Sequence, residues 1–418
     1  MPAIPVDTGP PIFGHALALL RAPHEVMLAA YRRNGPIFRL RALGREVLVL
    51  AGPEANLLMA RLGPDTLRTG EIYRDFADEH DQPNMLLACD GEPHNWRRRL
   101  LKQAAFTSDA LERHCAQISA ITTRIAESLR PGHRVPATAM MQRIIAEQTG
   151  QCLVGHSPGP RTADIVRSLD TAIGVFLLGA PRLALRLPGY VAARRRTAAM
   201  VRDIVETHRR RPPGDPPDLV DVALAFRDDH GRPLDEADLR SFVHLQFIAG
   251  LNTLAHTCSF ALFALMREPE AHARVVDEVD RVFASGPPDR AALRDMPALH
   301  GAAMEGLRLY PVSPAVKRWL ARDLEFAGHR LAAGQELIFA TAVTQRMAEF
   351  FPDPERHDID RYTRARGEHR RPGAFAPFAL GPHVCLGAAL AELQISRTYS
   401  PWRVVTARLK RSEVSPGR

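Results

Sequence analysis

The fold of this 418-residue chain is decided by one stretch, Phe378-Ala-Leu-Gly381-Pro-His383-Val-Cys385-Leu-Gly387. Cys385 lies between two glycines, follows a histidine by two residues, and precedes an apolar run with helical character. Glycines let the backbone pass close under a flat ligand, where a side chain would collide. Backbone N–H groups and the N-terminus of the following helix would favour a thiolate at this position. The stretch therefore predicts that Cys385 is a thiolate ligand to a haem iron.

The other four cysteines lack such surroundings. A lone cysteine is usually a small buried apolar residue, and this interpretation applies to Cys89, Cys115, Cys152 and Cys258. Because the five cysteines are scattered and odd in number, we expect reduced thiols rather than a disulfide framework.

The pattern Phe-x-x-Gly-x-His-x-Cys-x-Gly resembles the cysteine loop of the cytochrome P-450 superfamily. The resemblance runs from about Pro10 to Gln394 and implies haem b (iron protoporphyrin IX), activation of dioxygen and a helix-rich fold. On the basis of this resemblance we expect residues 1–418 to form a single domain. After about residue 395 the chain is shorter than soluble relatives, and Pro401 should end the last helix early.

Composition places the chain among globular proteins, with 45% hydrophobic and 24% charged residues. The start, Met1-Pro-Ala-Ile-Pro5, lacks the layout of a signal peptide or anchor helix, so we expect a cytoplasmic protein without a membrane anchor. The net charge is +8, but no nucleic-acid-binding signature accompanies it, so no nucleic acid is expected as a partner. Arginines at 97–99 and 370–371 with Lys102 form either a docking platform for an acidic electron donor or ordinary solvated surface.

Periodicity near 3.6 dominates after Pro53, and the strand patterns are confined to two regions, about 37–50 and 316–344. The longest predicted helix runs from about Asp235 to Arg267, with Asp235 as its N-cap. Its centre is apolar nearly all round, which predicts a buried helix. We therefore expect a mostly α (α+β) protein, a cytochrome P-450 fold with a long central helix over haem and a small segregated β region.

Inside the long predicted helix lies Ala249-Gly250-Leu-Asn252-Thr253. A mid-helix glycine costs about 1 kcal/mol relative to alanine, so it requires a reason. One reason is close packing of helices. The resemblance implies another, in which Ala249 and Gly250 leave room for dioxygen beside haem and Thr253 positions the oxygen.

Asn252 stands where relatives carry a carboxylate. A carboxylate there would relay protons, whereas an amide has no titrating proton to give. The departure leaves three possibilities: slower proton delivery, delivery through water or substrate, or a reaction that bypasses the step.

Two further groups of residues follow from the resemblance. Glu305 and Arg308 of Glu305-Gly-Leu-Arg308-Leu-Tyr-Pro311, with Arg361 from a later meander, would lock the core. The haem propionates, being buried anions, need paired cations. The resemblance nominates His94, Arg98, Arg318 and His383 for them, with Arg99 as an alternative to Arg98.

Substrate contacts are expected from the loop at about 72–87 and from Phe247, Ile248, Val312 and Val316, which are mainly apolar and so predict a hydrophobic small-molecule substrate. The function expected from the resemblance is a soluble, bacterial-type haem-thiolate monooxygenase. It would receive electrons ultimately from NAD(P)H through a ferredoxin- or flavin-type electron donor. A peroxide-driven or rearranging haem-thiolate enzyme and a non-catalytic haem-binding protein stay open as alternatives.

Overall fold

The computed structural model describes residues 3–129, 134–284, 286 and 289–399. The contacts between residues group the chain into two compact units, and each unit is assembled from three separate stretches of sequence. Unit 1 comprises Met1–Tyr73, Leu87–His94 and Met304–Leu386, and unit 2 comprises Arg74–Leu86, Asn95–Ala303 and Gly387–Arg418. The single domain expected from the sequence stays a prediction.

Unit 1 holds the strands. They are β1 (Val6–Asp7), β2 (Ile37–Ala42), β3 (Arg45–Ala51), β4 (Leu67–Arg68), β5 (Val316–Leu320), β6 (Leu324–Phe326), β7 (His329–Leu331) and β8 (Gln335–Ala340). Six of them form one sheet in the order β1-β2-β3-β8-β5-β4, and β6 pairs with β7 separately. The β1–β2 and β3–β8 pairs are parallel, and the other pairs are antiparallel. The segregated β region expected from the sequence is confirmed.

The hairpin between β2 and β3 turns at Leu43 and Gly44, both with positive φ, which is the backbone that a tight two-residue hairpin requires. Buried apolar residues from β2, β3, β5 and β8 pack with helix α3 (Pro53–Arg61). Leu50, Leu337 and Phe339 at the centre of this cluster are fully buried.

The helices account for most of the chain. Besides α3 they are α1 (Ala16–Arg21), α2 (Pro23–Asn34), α4 (Gly70–Glu79), α5 (Gly91–Ala105), α6 (Ser108–Glu127), α7 (Ala137–Val154), α8 (Thr162–Phe176), α9 (Pro188–Arg210), α10 (Leu219–Ala225), α11 (Glu236–Met266), α12 (Pro269–Val282), α13 (Arg290–Arg294), α14 (Pro297–Leu309) and α15 (Ala388–Tyr399). The helix-rich class expected from the sequence is confirmed.

Helix α11 is the centre of unit 2. Its 31 residues span about 46 Å, and the Asp235 side chain caps its N-terminus by accepting from the N–H of Asp238. It packs against α7, α8, α9 and α15. Among the described residues it is the one helix long and apolar enough to cross a bilayer, but the greater part of its apolar window is buried inside the protein. Phe242 and Val243 are buried, as its all-round apolar character predicts.

The last described helix, α15, is tied into unit 2 by buried polar contacts. The Gln148 side chain on α7 donates to Thr122 Oγ1 of α6 and to Thr398 Oγ1 of α15, and Gln394 of α15 donates back to Gln148 Oε1. Helical structure thus continues through the segment beyond residue 395. Pro401, at which the sequence predicts its end, lies outside the described residues.

Candidate functional site

The loop that carries Cys385 belongs to unit 1 and is shaped by its own hydrogen bonds. The Cys385 N–H donates to the Phe378 carbonyl over 2.9 Å, and the Val384 N–H donates to the Gly381 carbonyl over 3.0 Å. The Cys385 residue is exposed, whereas Cys115, Cys152 and Cys258 are buried, and none of the five cysteines forms a disulfide. Burial raises the pKa of Cys152 to about 12, which keeps that thiol protonated.

Gly381 is required by the fold of the loop itself. Its φ is +79°, and a Cβ at this position would lie 2.5 Å from the carbonyl oxygen of Met59. The sequence predicts that the glycines of this loop allow a flat ligand to approach. At position 381 the backbone of α3 supplies a sufficient reason within the protein.

His383 is anchored by a carboxylate that the sequence argument missed. Its Nε2 lies 2.9 Å from Asp90 Oδ1, and the Thr69 hydroxyl lies 3.4 Å from its Nδ1. Asp90 also accepts from the backbone N–H groups of Thr69 and Gly70. Burial alone would raise the pKa of Asp90, but these hydrogen bonds, led by that to His383, hold it below its ordinary value. The signal was the nearness of Asp90 to His94 in Asp90-Gly-Glu-Pro-His94.

The His94 ring lies beside the His383 ring, with 4.2 Å between their centroids. His94 is buried and lies in the first turn of α5. Two of the residues nominated to hold an anion are therefore brought together in unit 1.

Arg318 is a buried cation on β5 of unit 1, with 6% of its surface exposed. Its one hydrogen bond to the described residues runs from Nη1 to the neighbouring Lys317 carbonyl, and no carboxylate of those residues lies within ion-pair distance. Burial lowers the pKa of Arg318, and Tyr73 and Asp90 act on it in the opposite direction. A buried guanidinium needs an anion, so the position suits a ligand carboxylate.

The three consecutive arginines of α5 differ in how deeply they are buried. Arg97 is buried and its Nε donates to Asp238 Oδ1 over 2.8 Å, Arg98 is half-buried, and Arg99 is exposed. The inclusion of Arg97 in a surface platform was wrong, because Asp238 holds its guanidinium inside unit 2. Arg98 follows His94 by one helical turn, which is the register that the resemblance nominates.

Glu305, Arg308 and Arg361 form one fully buried network in unit 1. Arg308 binds both carboxylate oxygens of Glu305 over 2.6 and 2.7 Å, and Arg361 Nε reaches Glu305 Oε1 over 3.3 Å. Tyr362, which the sequence argument did not single out, donates its hydroxyl to Glu305 Oε2 over 2.8 Å. Burial alone would raise the pKa of Glu305, but the hydrogen bonds from Arg308 and the other donors keep it low.

The candidate oxygen-binding segment lies at the middle of α11 in unit 2. Thr253 is exposed and its hydroxyl donates to the Ala249 carbonyl over 2.6 Å. A Cβ at Gly250 would meet only Thr149 Oγ1, at 3.9 Å, which is an ordinary contact. Helix packing among the described residues therefore gives no reason for a glycine at position 250, and the role of Ala249 and Gly250 beside haem stays a prediction.

Asn252 is buried and held from two sides. Its Nδ2 donates to Asp170 Oδ1 of α8 over 2.6 Å, and its Oδ1 accepts from Gln142 Nε2 of α7 over 3.1 Å. Burial raises the pKa of the Asp170 carboxyl, and the charge of His256 acts in the opposite direction. The sequence carries no local sign of this contact, since the partners are separated by 82 and 110 residues.

The residues predicted to contact substrate occupy different environments. Phe247 is fully buried and Ile248 is 6% exposed, so the exposed positions beside them are Ala249 and Thr253. Val312 and Val316 in unit 1 are half-buried. The first part of the predicted substrate loop, 72–87, is helix α4 rather than loop. The substrate role of these residues stays a prediction.

A second cluster with metal-ligand chemistry, His208, Asp218 and Asp221, has a structural explanation. Asp218 and Asp221 form the capping box of α10, and His208 Nε2 lies 2.8 Å from Asp218 Oδ2. Arg211 contacts both carboxylates and supplies positive charge.

The residues of unit 1 fit a haem. Cys385 offers a sulfur on an exposed loop, and the same unit holds a buried arginine without a carboxylate partner among the described residues. A ligand with a metal centre and carboxylate groups would satisfy both requirements.

Comparison with known proteins gives a consistent result. A sequence model of the family described as Cytochrome P-450 matches residues 4–398. A sterol 14alpha-demethylase from Mycolicibacterium vanbaalenii is 27% identical over 408 residues, covering 94% of this chain and 89% of that protein. A cyclooctat-9-en-7-ol 5-monooxygenase from Streptomyces melanosporofaciens is 28% identical over 410 residues, covering 94% and 88%.

The fold is also similar to that of a solved structure. The solved structure of retinoic-acid-bound cyanobacterial CYP120A1 superposes with a TM-score of 0.82 and 25% identity, covering 97% of this chain and 92% of that one.

Proposed function

Because the chain belongs to the cytochrome P-450 family, it is a haem-dependent oxidoreductase, and we propose that it inserts one oxygen atom from dioxygen into an apolar small molecule. The observation that carries the assignment within the molecule is the buried Arg318 on the unit that also presents Cys385. The names of the relatives, which refer to a sterol and to cyclooctat-9-en-7-ol, support an apolar substrate.

Each residue has a proposed role. Cys385 would bind the iron, and haem held by a thiolate supplies the activation and cleavage of dioxygen. His94, Arg98, Arg318 and His383 would hold the propionates, with Asp90 fixing His383. Phe378, Gly381 and Gly387 would shape the loop around Cys385.

On α11, Ala249 and Gly250 would leave space for dioxygen and Thr253 would orient it through its hydroxyl. Glu305, Arg308 and Arg361 would maintain the fold of unit 1 without taking part in the reaction. Phe247, Ile248, Val312 and Val316 would line the substrate pocket.

The family requires a redox partner. We infer a ferredoxin- or flavin-type donor that carries electrons from NAD(P)H, and a cytoplasmic location in keeping with the bacterial relatives. The exposed Arg99 and Lys102 of α5 give such a donor a basic surface to approach.

The first experiment is the carbon monoxide difference spectrum of the reduced, haem-loaded protein. We expect the spectrum typical of thiolate ligation, and we expect Cys385→Ser to abolish it while some haem is retained. An unchanged spectrum in Cys385→Ser would overturn the assignment of the ligand.

The second experiment is turnover with labelled dioxygen, a donor system and NAD(P)H, on substrates first selected by the spin-state change of the iron. One labelled oxygen atom in the product is expected. A product without the label, formed with hydrogen peroxide alone, would instead favour the peroxide-driven or rearranging enzyme that Asn252 suggests.

A further inference from the structure

We propose that Asp170 takes over the work of the carboxylate that the family pattern expects at position 252, holding an exchangeable proton for delivery toward Thr253. The inference rests on the proposed monooxygenase function. It assigns to helix α8 a carboxyl group that Asn252 positions and that acts through solvent, without itself touching the haem.

The contact between Asp170 and Asn252 is direct and oriented. Gln142 Nε2 donates to Asn252 Oδ1 over 3.1 Å, so the amide group of Asn252 is turned with its Nδ2 toward α8. That Nδ2 donates to Asp170 Oδ1 over 2.6 Å. Two side chains, Gln142 of α7 and Asn252 of α11, thus fix the Asp170 carboxyl group beside the residue that precedes Thr253.

The second oxygen of this carboxyl group is left to hold the proton. Asp170 Oδ1 accepts from Asn252, and Oδ2 makes no hydrogen bond to any residue that the structure describes. Asp170 is an exposed residue, so its carboxyl group can exchange protons with solvent. Its pKa is raised by partial burial, which favours the protonated form more than in an ordinary aspartate, while His256 on α11 opposes this.

The same geometry explains why position 252 is an amide. A carboxylate at 252 would bring two like charges to within hydrogen-bond distance of each other, and one of them would have to stay protonated. Asparagine at 252 donates to Asp170 instead of repelling it. The acidic group therefore lies at position 170 on α8 rather than at position 252 on α11. The side chain at position 252 is instead an amide that donates a hydrogen bond to it.

Thr253, the next residue of α11 after Asn252, would receive the proton. Its own hydroxyl hydrogen is donated to the Ala249 carbonyl, so the lone pairs of its exposed oxygen are available to a donor on the other side. Insertion of one atom of dioxygen consumes two protons with two electrons, and Asp170 would pass each proton through solvent water toward this oxygen and regain it from bulk solvent, ending the cycle unchanged.

The test exchanges the carboxyl and amide side chains between positions 170 and 252. In Asp170→Asn, product formed per NAD(P)H consumed should fall by about 100-fold, with the missing electrons recovered as hydrogen peroxide. Asn252→Asp alone should also lower the yield, because two carboxyl groups then compete. The double variant Asp170→Asn with Asn252→Asp should restore most of it. Asp164→Asn serves as the control, since Asp164 lies on the same helix but pairs with Arg196.

A readout independent of turnover comes from carbon-13 NMR of the aspartate carboxyl groups. Replacing Asn252 by leucine removes the amide donor, so the pKa of Asp170 should rise, whereas that of Asp164 should stay as it is. If the pKa read from the Asp170 carboxyl resonance does not change with the substitution, the coupling between Asp170 and Asn252 is contradicted.

The outcomes separate this inference from the function on which it rests. If Asp170→Asn keeps the thiolate spectrum with carbon monoxide and full peroxide-driven turnover but loses coupling to NAD(P)H, the inference is supported. If all variants couple as well as the wild type, Asp170 is only structural and the monooxygenase assignment stands. If the wild type lacks the thiolate spectrum, the proposed function itself fails.

Discussion

His383 Nε2 lies 2.9 Å from Asp90 Oδ1, and the same carboxylate accepts from the backbone N–H groups of Thr69 and of Gly70, the first residue of helix α4. One side chain therefore holds a histidine of the cysteine loop and the start of a helix more than three hundred residues away in sequence. The placement of His383 depends on Asp90 remaining ionised.

Asp90→Asn should lower the free energy of unfolding by about 1–3 kcal/mol at neutral pH, because a charged acceptor of several hydrogen bonds is lost. The pKa of Asp90 is depressed in the folded protein, so its contribution is present above the unfolded pKa and disappears as the pH falls through the folded one. Urea denaturation at pH 7 and in acid measures this. The difference between variant and wild type should shrink at low pH, and a constant difference would contradict the role of the charge.

Arg318→Leu should stabilise the haem-free protein, on the order of 1–3 kcal/mol, because a buried cation without a carboxylate partner among the described residues is removed. The same substitution should weaken haem retention. Urea denaturation with and without haem compares the two effects. Lys317→Leu is the control, since Lys317 pairs with Glu336 near the surface and should change stability by less than about 1 kcal/mol. Unchanged haem retention in Arg318→Leu would remove this residue from the proposed site.

Gly381→Ala should destabilise the protein by more than the 1–3 kcal/mol typical of a strained backbone, because the new Cβ would also meet the Met59 carbonyl at 2.5 Å. Gly328→Ala isolates the steric part. Gly328 has a similar φ of +76°, but nothing lies within 4 Å of its added Cβ. Thermal unfolding of both variants tests this, and equal losses would mean that the approach of α3 does not matter.

His244 on α11 should make the protein sensitive to acid. It is buried, and burial lowers its pKa to about 3. Between about pH 6.5 and pH 3, His244 is protonated in the unfolded chain but neutral in the folded protein. The free energy of unfolding therefore falls as the pH falls, by up to about 1.4 kcal/mol per pH unit. His244→Leu should flatten this dependence. Urea midpoints between pH 7 and 4 measure it, and an unchanged slope would show that His244 is not responsible.

Elements whose ends are set by neighbouring residues were predictable from sequence. Helix α2 begins with Pro23 at its first position, and the β2–β3 hairpin, inside the strand region predicted at about 37–50, turns at Leu43-Gly44. Helix α4 was predicted as loop because its start depends on Asp90, twenty residues further along, which accepts from the Gly70 N–H. No local pattern can report a cap supplied from another segment.

The residues of the candidate site also fall into two groups: those that a contiguous motif nominates, and those that only the folded structure brings close to them. The motif around Cys385 is contiguous, so the sequence alone nominates it, and Glu305 with Arg308 is contiguous as well. The partners that position those residues come from distant segments: Asp90 for His383, Tyr362 for Glu305, and Asp170 for Asn252. They became visible only once the chain was folded.

The interleaving of the two units along the chain limits how this protein can be taken apart. Each unit is assembled from three separated stretches, so no continuous gene fragment encodes either of them. A shortened clone that ends within Asn95–Ala303 would lack the third stretch of both units. Dissection of this enzyme therefore has to proceed by point substitution or by rejoining the stretches in a new order.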